Sequence, residues 1–194
     1  ITQMELTKKG DVFIPGGTPD YRIAQEKGLV TDPVYIAYHV PVIGVLPGNP
    51  LEISSVQDFT KEGVRLALGD VNATAIGRQG KKLFDKFGIT EDVEKNVLFR
   101  APTISEVVTA LKLRQVDASL ITMDQIKGDE IEAVALPDEE SLALIVPAGL
   151  TTFTTQEENA KKFVDFISSD EGKAIFGKHG FPIYPDPAYA SVKP

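Results

Sequence analysis

The fold is decided by residues 65–89, which read RLALGDVNATAIGRQGKKLFDKFGI. The short apolar segment from Arg65 to Leu68 predicts a buried strand. The loop after it is small and polar, and the apolar residues that follow recur at helical spacing up to Gly88, which predicts an amphipathic helix. These residues are Ile76, Leu83, Phe84 and Phe87. A strand, a loop and a helix in this order form the repeating unit of an α/β protein.

The same order of elements continues on both sides of this unit. Apolar and β-branched runs predict strands at 11–14, 34–46, 97–99, 118–121, 131–136 and 142–146. Capping residues predict helices that begin near Thr18, Ser54 or Ser55, Thr103, Thr154 or Thr155, and Ser168 or Ser169. Residues 1–9 are typical of the end of a helix that Gly10 stops. The alternation predicts an α/β fold with largely parallel strands.

The clearest helix start is Thr103-Ile104-Ser105-Glu106, which has the spacing of a capping box. The apolar face behind it recurs at intervals of three and four residues, as a helix packed on a sheet requires. It consists of Ile104, Val107, Val108 and Leu111. We therefore expect a second strand, loop and helix unit after the first.

Two long apolar strands, 34–46 and 142–147, bracket the middle of the chain. A segment that leaves one lobe and returns to it predicts two α/β lobes joined by two hinge strands. In this interpretation lobe I comprises residues 1–45 and 143–194, and lobe II comprises residues 46–142.

Composition excludes several classes of protein. The chain has 194 residues, of which 42% are hydrophobic and 25% charged, enough to bury a core. Its net charge of -8 disfavours nucleic acid as a partner. No apolar run approaches the roughly 20 residues that cross a bilayer. Without cysteine there is no disulfide and no thiolate metal site.

Signals for catalysis are weak, so we expect no enzyme, no catalytic residues and no cofactor. His39 lies in a predicted strand and His179 at the end of a helix, where structural roles are commoner than catalytic ones. The segment from Gly77 to Lys82 departs from a phosphate-binding loop at two positions, because Ala75 replaces the first glycine and Lys82 replaces the Ser or Thr that holds magnesium. The acidic run 138–140 is typical of a solvated turn, so no metal site is expected.

Small and hydroxyl-bearing loops remain, and each follows a strand and precedes a helix. They are residues 72–77, 101–105 and 122–123. Free N–H groups and the positive end of the helix dipole meet at a helix start, which binds anions without lysine or arginine. Open α/β sheets bind ligands at the carboxyl ends of their strands. Two such starts facing one crevice would form an oxyanion site.

Five stretches resemble, in order and spacing, the periplasmic molybdate-binding proteins of ABC transporters. They are GDVFIPGGTPDYRIAQEKGLV (10–30), LPGNPLEISSVQDF (46–59), RLALGDVNATAIGRQGKKLFDKFGI (65–89), TISEVVTALKLRQVDASLI (103–121) and FVDFISSDEGKAIFGKHGF (163–181). The resemblance covers nearly the whole chain. It implies the type II periplasmic-binding-protein fold, with two lobes that close on a ligand.

The resemblance also implies a function and a set of site residues. Backbone amides and neutral hydroxyls would hold a molybdate or tungstate oxyanion, which a membrane permease of an ABC transporter then receives. The matching positions are Thr74, Ala75, Ile76 and Gly77 in one loop, Ser105, Glu106 and Val107 at the next helix start, and Thr122 near the hinge. We expect a monomer in the periplasm or outside the cell, including a form held at the cell surface by a lipid anchor.

Two departures from the family pattern affect these expectations. Thr122 stands where many bacterial members have a tyrosine, and Thr74 where some archaeal relatives have a carboxylate, which favours tetrahedral over octahedral binding. Family members also begin with a further strand-helix-strand unit, whose two serine-containing loops supply half of the anion contacts. Ile1 follows directly after the second of those loops, so the resemblance implies a chain without its first quarter. We therefore expect weak or no molybdate binding by residues 1–194 alone and tight binding once that segment is restored.

Three other functions stay open from the residues alone. The same fold serves as the receptor for another anion or an organic acid. It also serves as the effector-sensing domain of a transcription regulator, although no helix-turn-helix segment is present here. An enzyme using the same crevice would need a base such as Glu106 or Asp124, and neither has an evident partner in the sequence.

Overall fold

A computed structural model describes residues 1–194, which form two compact units. Unit 1 comprises Ile1–Val40 and Ala143–Pro194, and unit 2 comprises Pro41–Leu142. The chain therefore passes between the units twice, after Val40 and after Leu142. Residues 41–45 lie in unit 2 because they pair with strands of that unit, whereas the sequence pattern assigns them to lobe I.

Unit 2 is built on a mixed five-stranded sheet. Its strands are β3 (Pro41–Val45), β4 (Leu66–Gly69), β5 (Val97–Ala101), β6 (Ala118–Thr122) and β7 (Glu132–Ala135). The order across the sheet is β5-β4-β6-β3-β7. β4 is parallel to both β5 and β6, whereas β3 is antiparallel to β6 and β7. The prediction of largely parallel strands thus holds for the β5-β4-β6 part of the sheet alone.

The helices of unit 2 cover this sheet. They are α3 (Ala75–Phe87), α4 (Thr90–Asn96) and α5 (Ile104–Lys112), with short 3₁₀ helices at Val56–Thr60, Met123–Gln125 and Asp138–Glu140. The predicted apolar face of α3 packs into the core through Ile76, Leu83 and Phe84, and Gly88 ends the helix with a left-handed backbone. The core contains Phe59, whose ring meets that of Phe84 edge to face with centroids 6.1 Å apart.

Unit 1 combines an antiparallel three-stranded sheet with four helices. The strands are β1 (Val12–Phe13), β2 (Val34–His39) and β8 (Leu144–Leu150) in the order β1-β8-β2. The helices are α1 (Thr2–Thr7), α2 (Thr18–Glu26), α6 (Glu157–Ser168) and α7 (Asp170–Lys178), followed by a 3₁₀ turn at Pro187–Tyr189. Tyr21 and Leu29 fill one cluster of this core, and Ile36, Ala148 and Ile167 fill another.

The structure corrects the single strand predicted over 34–46. The run is two strands, β2 and β3, which belong to different units and different sheets. Both are largely buried, so the apolar pattern continues through the break, and Pro41, the first residue of β3, is a weak sign of it. The carboxyl-terminal tail is also more regular than expected, because Tyr38 N–H donates to Pro182 O at 2.7 Å and Tyr184 N–H donates to Ile36 O at 2.9 Å.

Candidate functional site

The candidate site lies at one edge of the unit 2 sheet. Because β4, β5 and β6 are parallel where they pair, their carboxyl ends at Gly69, Ala101 and Thr122 share this edge. Two of these ends lead through short loops to the starts of α3 and α5, and the third leads directly to the 3₁₀ helix Met123–Gln125. The three predicted loops therefore belong to one edge, where open α/β sheets bind ligands.

Thr74 caps the start of α3 from a buried position. Its hydroxyl donates to Asp70 O at 2.9 Å and accepts from Gly77 N–H at 3.0 Å. The Asp70 carboxylate accepts from two N–H groups of the same loop, those of Asn72 at 2.8 Å and Ala73 at 2.9 Å. These bonds fix the loop without a ligand, and the cap leaves the first N–H groups of the helix, those of Ala75 and Ile76, available to an anion.

Two glycines allow α3 to begin very close to the end of β4. A Cβ atom on Gly77 would lie 2.6 Å from Asp70 O and 2.7 Å from Thr74 Oγ1, and it would overlap Gly69 O. A Cβ atom on Gly69 would overlap Thr74 Oγ1 and would lie 3.2 Å from Ile104 Cδ1 and 3.3 Å from Ile76 Cγ2. Ile76 belongs to the first turn of α3 and Ile104 to that of α5, so the side chains of both first turns converge on Gly69.

The start of α5 is more exposed. The Thr103 hydroxyl accepts from Glu106 N–H at 3.4 Å, which confirms Thr103 as the predicted cap. It also donates to the Glu106 carboxylate at 2.8 Å, so this carboxylate bonds the Thr103 hydroxyl in place of the Thr103 N–H that a capping box uses. Ser105 and Glu106 are exposed, whereas Val107 is buried in the core. The N–H groups that this cap leaves over are those of Ile104 and Ser105. Ile104 is therefore a candidate that the sequence pattern does not single out, because its apolar side chain indicates packing alone.

Thr122 ends β6 at the same edge. Its side chain is buried, and its backbone pairs with Pro41, the first residue of unit 2. Its hydroxyl makes no capping bond to the 3₁₀ helix that follows. The sequence-predicted residues thus share one edge, although Thr74 Oγ1 and the N–H groups of Gly77 and Glu106 are already bonded within the caps.

An arginine also lies beside the loop. Arg100 on β5 donates from Nη1 to Gly69 O at 3.1 Å and forms an ion pair with Glu94. A single charged residue in a strand has no pattern that marks it as part of a site, so the sequence gives no signal for it. With Asp70 and Glu106, it makes the edge more charged than the resemblance implies.

Arrangements for other chemistry are weaker. His39 packs near Phe181 with ring centroids 6.0 Å apart, which fits the structural role expected for it. No group of three or more His, Asp or Glu side chains is placed to hold a metal ion. None of the helices combines the length and the hydrophobicity that a bilayer crossing requires.

Known proteins with solved structures share the fold. The periplasmic molybdate-binding protein of Azotobacter vinelandii superposes with a TM-score of 0.72 at 15% identity, covering 93% of this chain and 81% of that protein. The sulfate-binding protein SubI of Mycobacterium tuberculosis gives a TM-score of 0.69 at 16% identity, covering 98% of this chain and 74% of SubI. These likenesses confirm the predicted type II periplasmic-binding-protein fold.

Sequence comparison gives the family. The molybdate-binding protein ModA of Mycobacterium tuberculosis is 23% identical over 183 residues, which cover 93% of this chain and 68% of ModA. A family described as bacterial extracellular solute-binding protein matches residues 1–182. Its members are binding proteins, in agreement with the expectation that the chain is not an enzyme. With nearly its whole length matched, the chain belongs to the bacterial extracellular solute-binding protein family.

Proposed function

We propose that the chain captures a tetrahedral oxyanion of the molybdate or tungstate type and delivers it to the membrane permease of an ABC transporter. The observation that carries this proposal is the convergence of two helix starts on Gly69. Each start offers N–H groups that its cap leaves over, and the helix dipoles add positive potential at the same place. The site residues would be Thr74, Ala75, Ile76, Gly77, Ser105, Glu106, Val107 and Thr122, with Ile104 added.

Neutral donors suit an anion that must be released again. N–H groups at helix starts bind without the long-lived ion pair that a buried lysine or arginine would form. Discrimination would come from size and from the number of donors, since a buried donor left unpaired by a smaller anion costs about 1–3 kcal/mol. ModA and the Azotobacter vinelandii protein support molybdate as the ligand, and SubI makes sulfate the competitor to test.

Delivery to a permease would place the chain outside the cytoplasmic membrane. The family description, bacterial extracellular solute-binding protein, supports this location. We propose that it acts as a monomer in the periplasm or at the cell surface, where a lipid anchor would keep it near its permease. No nucleic acid is expected to bind, because the net charge is -8.

The test is an NMR titration of residues 1–194 with molybdate, tungstate, sulfate and phosphate in turn. We expect saturable shifts of the N–H signals of Ala75, Ile76, Ile104 and Ser105 with molybdate and tungstate. The start of α7 is the internal control, because Ser169 caps it in the same way, accepting from Gly172 N–H at 3.3 Å, and it lies in unit 1. Its signals should stay unchanged.

Either of two results would overturn the proposal. One is the absence of saturable shifts at the four N–H groups with every oxyanion, both for residues 1–194 and for these residues extended by the strand-helix-strand unit with which family members begin. The other is an equal response at the start of α7, which would mean that any capped helix start attracts the anion. If sulfate or phosphate saturates these signals and molybdate does not, the chain is still an oxyanion receptor, but the assignment of molybdate and tungstate as ligands is wrong.

A further inference from the structure

Arg100 is a largely buried cation at the back of the proposed site. Its side chain is 21% exposed, and its Nη1 donates to the carbonyl of Gly69 at 3.1 Å. With this carbonyl it borders a small cavity under the first turns of α3, lined also by Leu68, Ile76, Gly77, Gly80, Phe84 and Leu120. The carbonyl is the same one that a Cβ atom on Gly77 would overlap. Arg100 therefore fixes the point at which the two helix starts converge.

The charge of Arg100 has the same sign as the potential at the start of α3. A cation at a helix N-terminus is electrostatically unfavourable. Glu94 compensates part of this charge, but its side chain is 46% exposed and therefore partly screened by solvent. The Asp70 carboxylate is turned to its own loop through Asn72 and Ala73. A bound anion would relieve the remaining repulsion.

We propose that Arg100 is a positioning residue that also makes the site select doubly charged over singly charged anions. It holds the Gly69 carbonyl in place and adds a fixed positive charge behind the start of α3, while Glu94 moderates that charge. This inference rests on the proposed oxyanion function and adds an ionic contribution to a site otherwise made of neutral donors. Because Coulomb energy scales with ligand charge, the contribution is larger for a dianion.

The experiment compares two tetrahedral probes, molybdate and perchlorate, on wild type, Arg100→Gln, Arg100→Lys and Glu94→Gln. We expect Arg100→Gln to weaken molybdate binding about tenfold and perchlorate binding about threefold, so that the ratio between them falls. Arg100→Lys should keep most of the ratio, because it keeps the charge. Glu94→Gln should strengthen molybdate binding about threefold although it removes an ion pair, and should strengthen perchlorate binding by a smaller factor, because the carboxylate repels a dianion more than a monoanion.

These readouts separate an electrostatic role from a merely structural one. A structural role predicts that all variants weaken both probes equally and that Glu94→Gln lowers affinity together with thermal stability. The inference is overturned if Arg100→Gln leaves the ratio of molybdate to perchlorate affinity unchanged, or if Glu94→Gln does not raise molybdate affinity. Neither result affects the proposed function as long as the wild type binds molybdate. If wild type binds neither probe, alone or extended by the strand-helix-strand unit with which family members begin, the proposed function itself fails. Should Arg100→Gln not fold, the Lys and Glu94 variants still decide between the two roles.

Discussion

The starts of α3 and α5 obey the same capping rule but differ in how firmly they are held. At α3 the cap hydroxyl of Thr74 is buried and makes bonds of 2.9 and 3.0 Å, and glycine packing presses the helix against β4. At α5 the cap Thr103 is exposed, its bond to N–H is 3.4 Å long, and the Glu106 carboxylate lies beside it. The start of α3 is therefore the preorganised half of the candidate site, and the start of α5 the adaptable half.

A third helix start in unit 2 has its N–H groups bonded within the protein, and we call it the closed start. The 3₁₀ helix Val56–Thr60 is capped by Ser55, and its first N–H, that of Val56, donates to Glu140 Oε2 at 2.9 Å. Glu140 is 1% exposed, and its second carboxyl oxygen, Oε1, has no hydrogen-bond partner. Here the protein supplies its own anion, so no N–H group is left for a ligand.

The largest effect should come from removing the close approach at α3. We expect Gly77→Ala to destabilise the chain by about 3 kcal/mol and to abolish oxyanion binding, because its Cβ meets backbone carbonyls that cannot move aside. Gly80→Ala is the matched control, since its Cβ meets side chains alone, the end of Leu120 at 3.1 Å and the Phe84 ring at 3.7 Å. Urea unfolding of both variants measures the difference, and an equal loss would contradict the preorganised start.

Removing the cap of α3 should destabilise the chain more than removing the cap of α5. We expect Thr74→Ala to cost about 2 kcal/mol of unfolding free energy and Thr103→Ala about 0.5 kcal/mol, the upper and lower ends of the range for caps. Thr74→Ala should also weaken molybdate binding more than Thr103→Ala does. Chemical denaturation and calorimetric titration of the pair check both statements, and equal losses would show that burial of the cap does not matter.

A smaller effect on the free energy of unfolding, which depends on pH, is expected at the closed start, where Glu140 accepts from Val56 N–H. Burial raises the pKa of the Glu140 carboxyl above its usual value of 4.5. Relative to the unfolded chain, the folded chain therefore favours the protonated form of Glu140. The contribution of this group to the free energy of unfolding is complete below pH 4.5 and is lost as the pH rises through the raised pKa. We expect Glu140→Gln to remove this decline from the curve of unfolding free energy against pH. The exposed neighbour offers a control in Glu139→Gln, which should retain most of the decline.

The smallest effect should appear at the exposed start. Replacing the carboxylate in Glu106→Gln removes a like charge beside the ligand, so molybdate affinity should rise about twofold while the helix loses a few tenths of a kcal/mol. Glu91→Gln makes the same change in the first turn of α4 and should leave affinity unaltered. Titration of the two variants side by side decides, and a fall in affinity for Glu106→Gln would mean that the carboxylate supports the site.

Local signals in the sequence are enough to predict the helices that carry the site. The apolar spacing and Gly88 give the extent of α3, and the Thr103-Ile104-Ser105-Glu106 box gives the start of α5. Both predictions are confirmed because caps and periodic faces depend on neighbouring residues alone. The role of the eight predicted site residues as ligand contacts stays a prediction.

Features that depend on distant residues cannot be predicted from local patterns in the sequence. The apolar pattern continues across the break at Val40, and Pro41 is a weak local sign of it. The partners that separate the two strands lie 105–114 residues further along the chain for β2 and 73–81 residues further for β3 in its pairing with β6. The helix α4 is not predicted because Val93 is its one buried residue, and a single apolar residue gives no helical periodicity. The place of Arg100 depends on Gly69 and Glu94, which no local pattern connects to it.

The break after Val40 also bears on the order in which the protein folds. Unit 2 is a continuous segment that can complete its contacts once residue 142 has left the ribosome. Unit 1 waits for β8, since its sheet pairs Val34–His39 with Leu144–Leu150. Prior folding of the inserted segment shortens the flexible loop that this pairing must close and so lowers its entropy cost. During synthesis, the unit that carries the candidate site can therefore fold first.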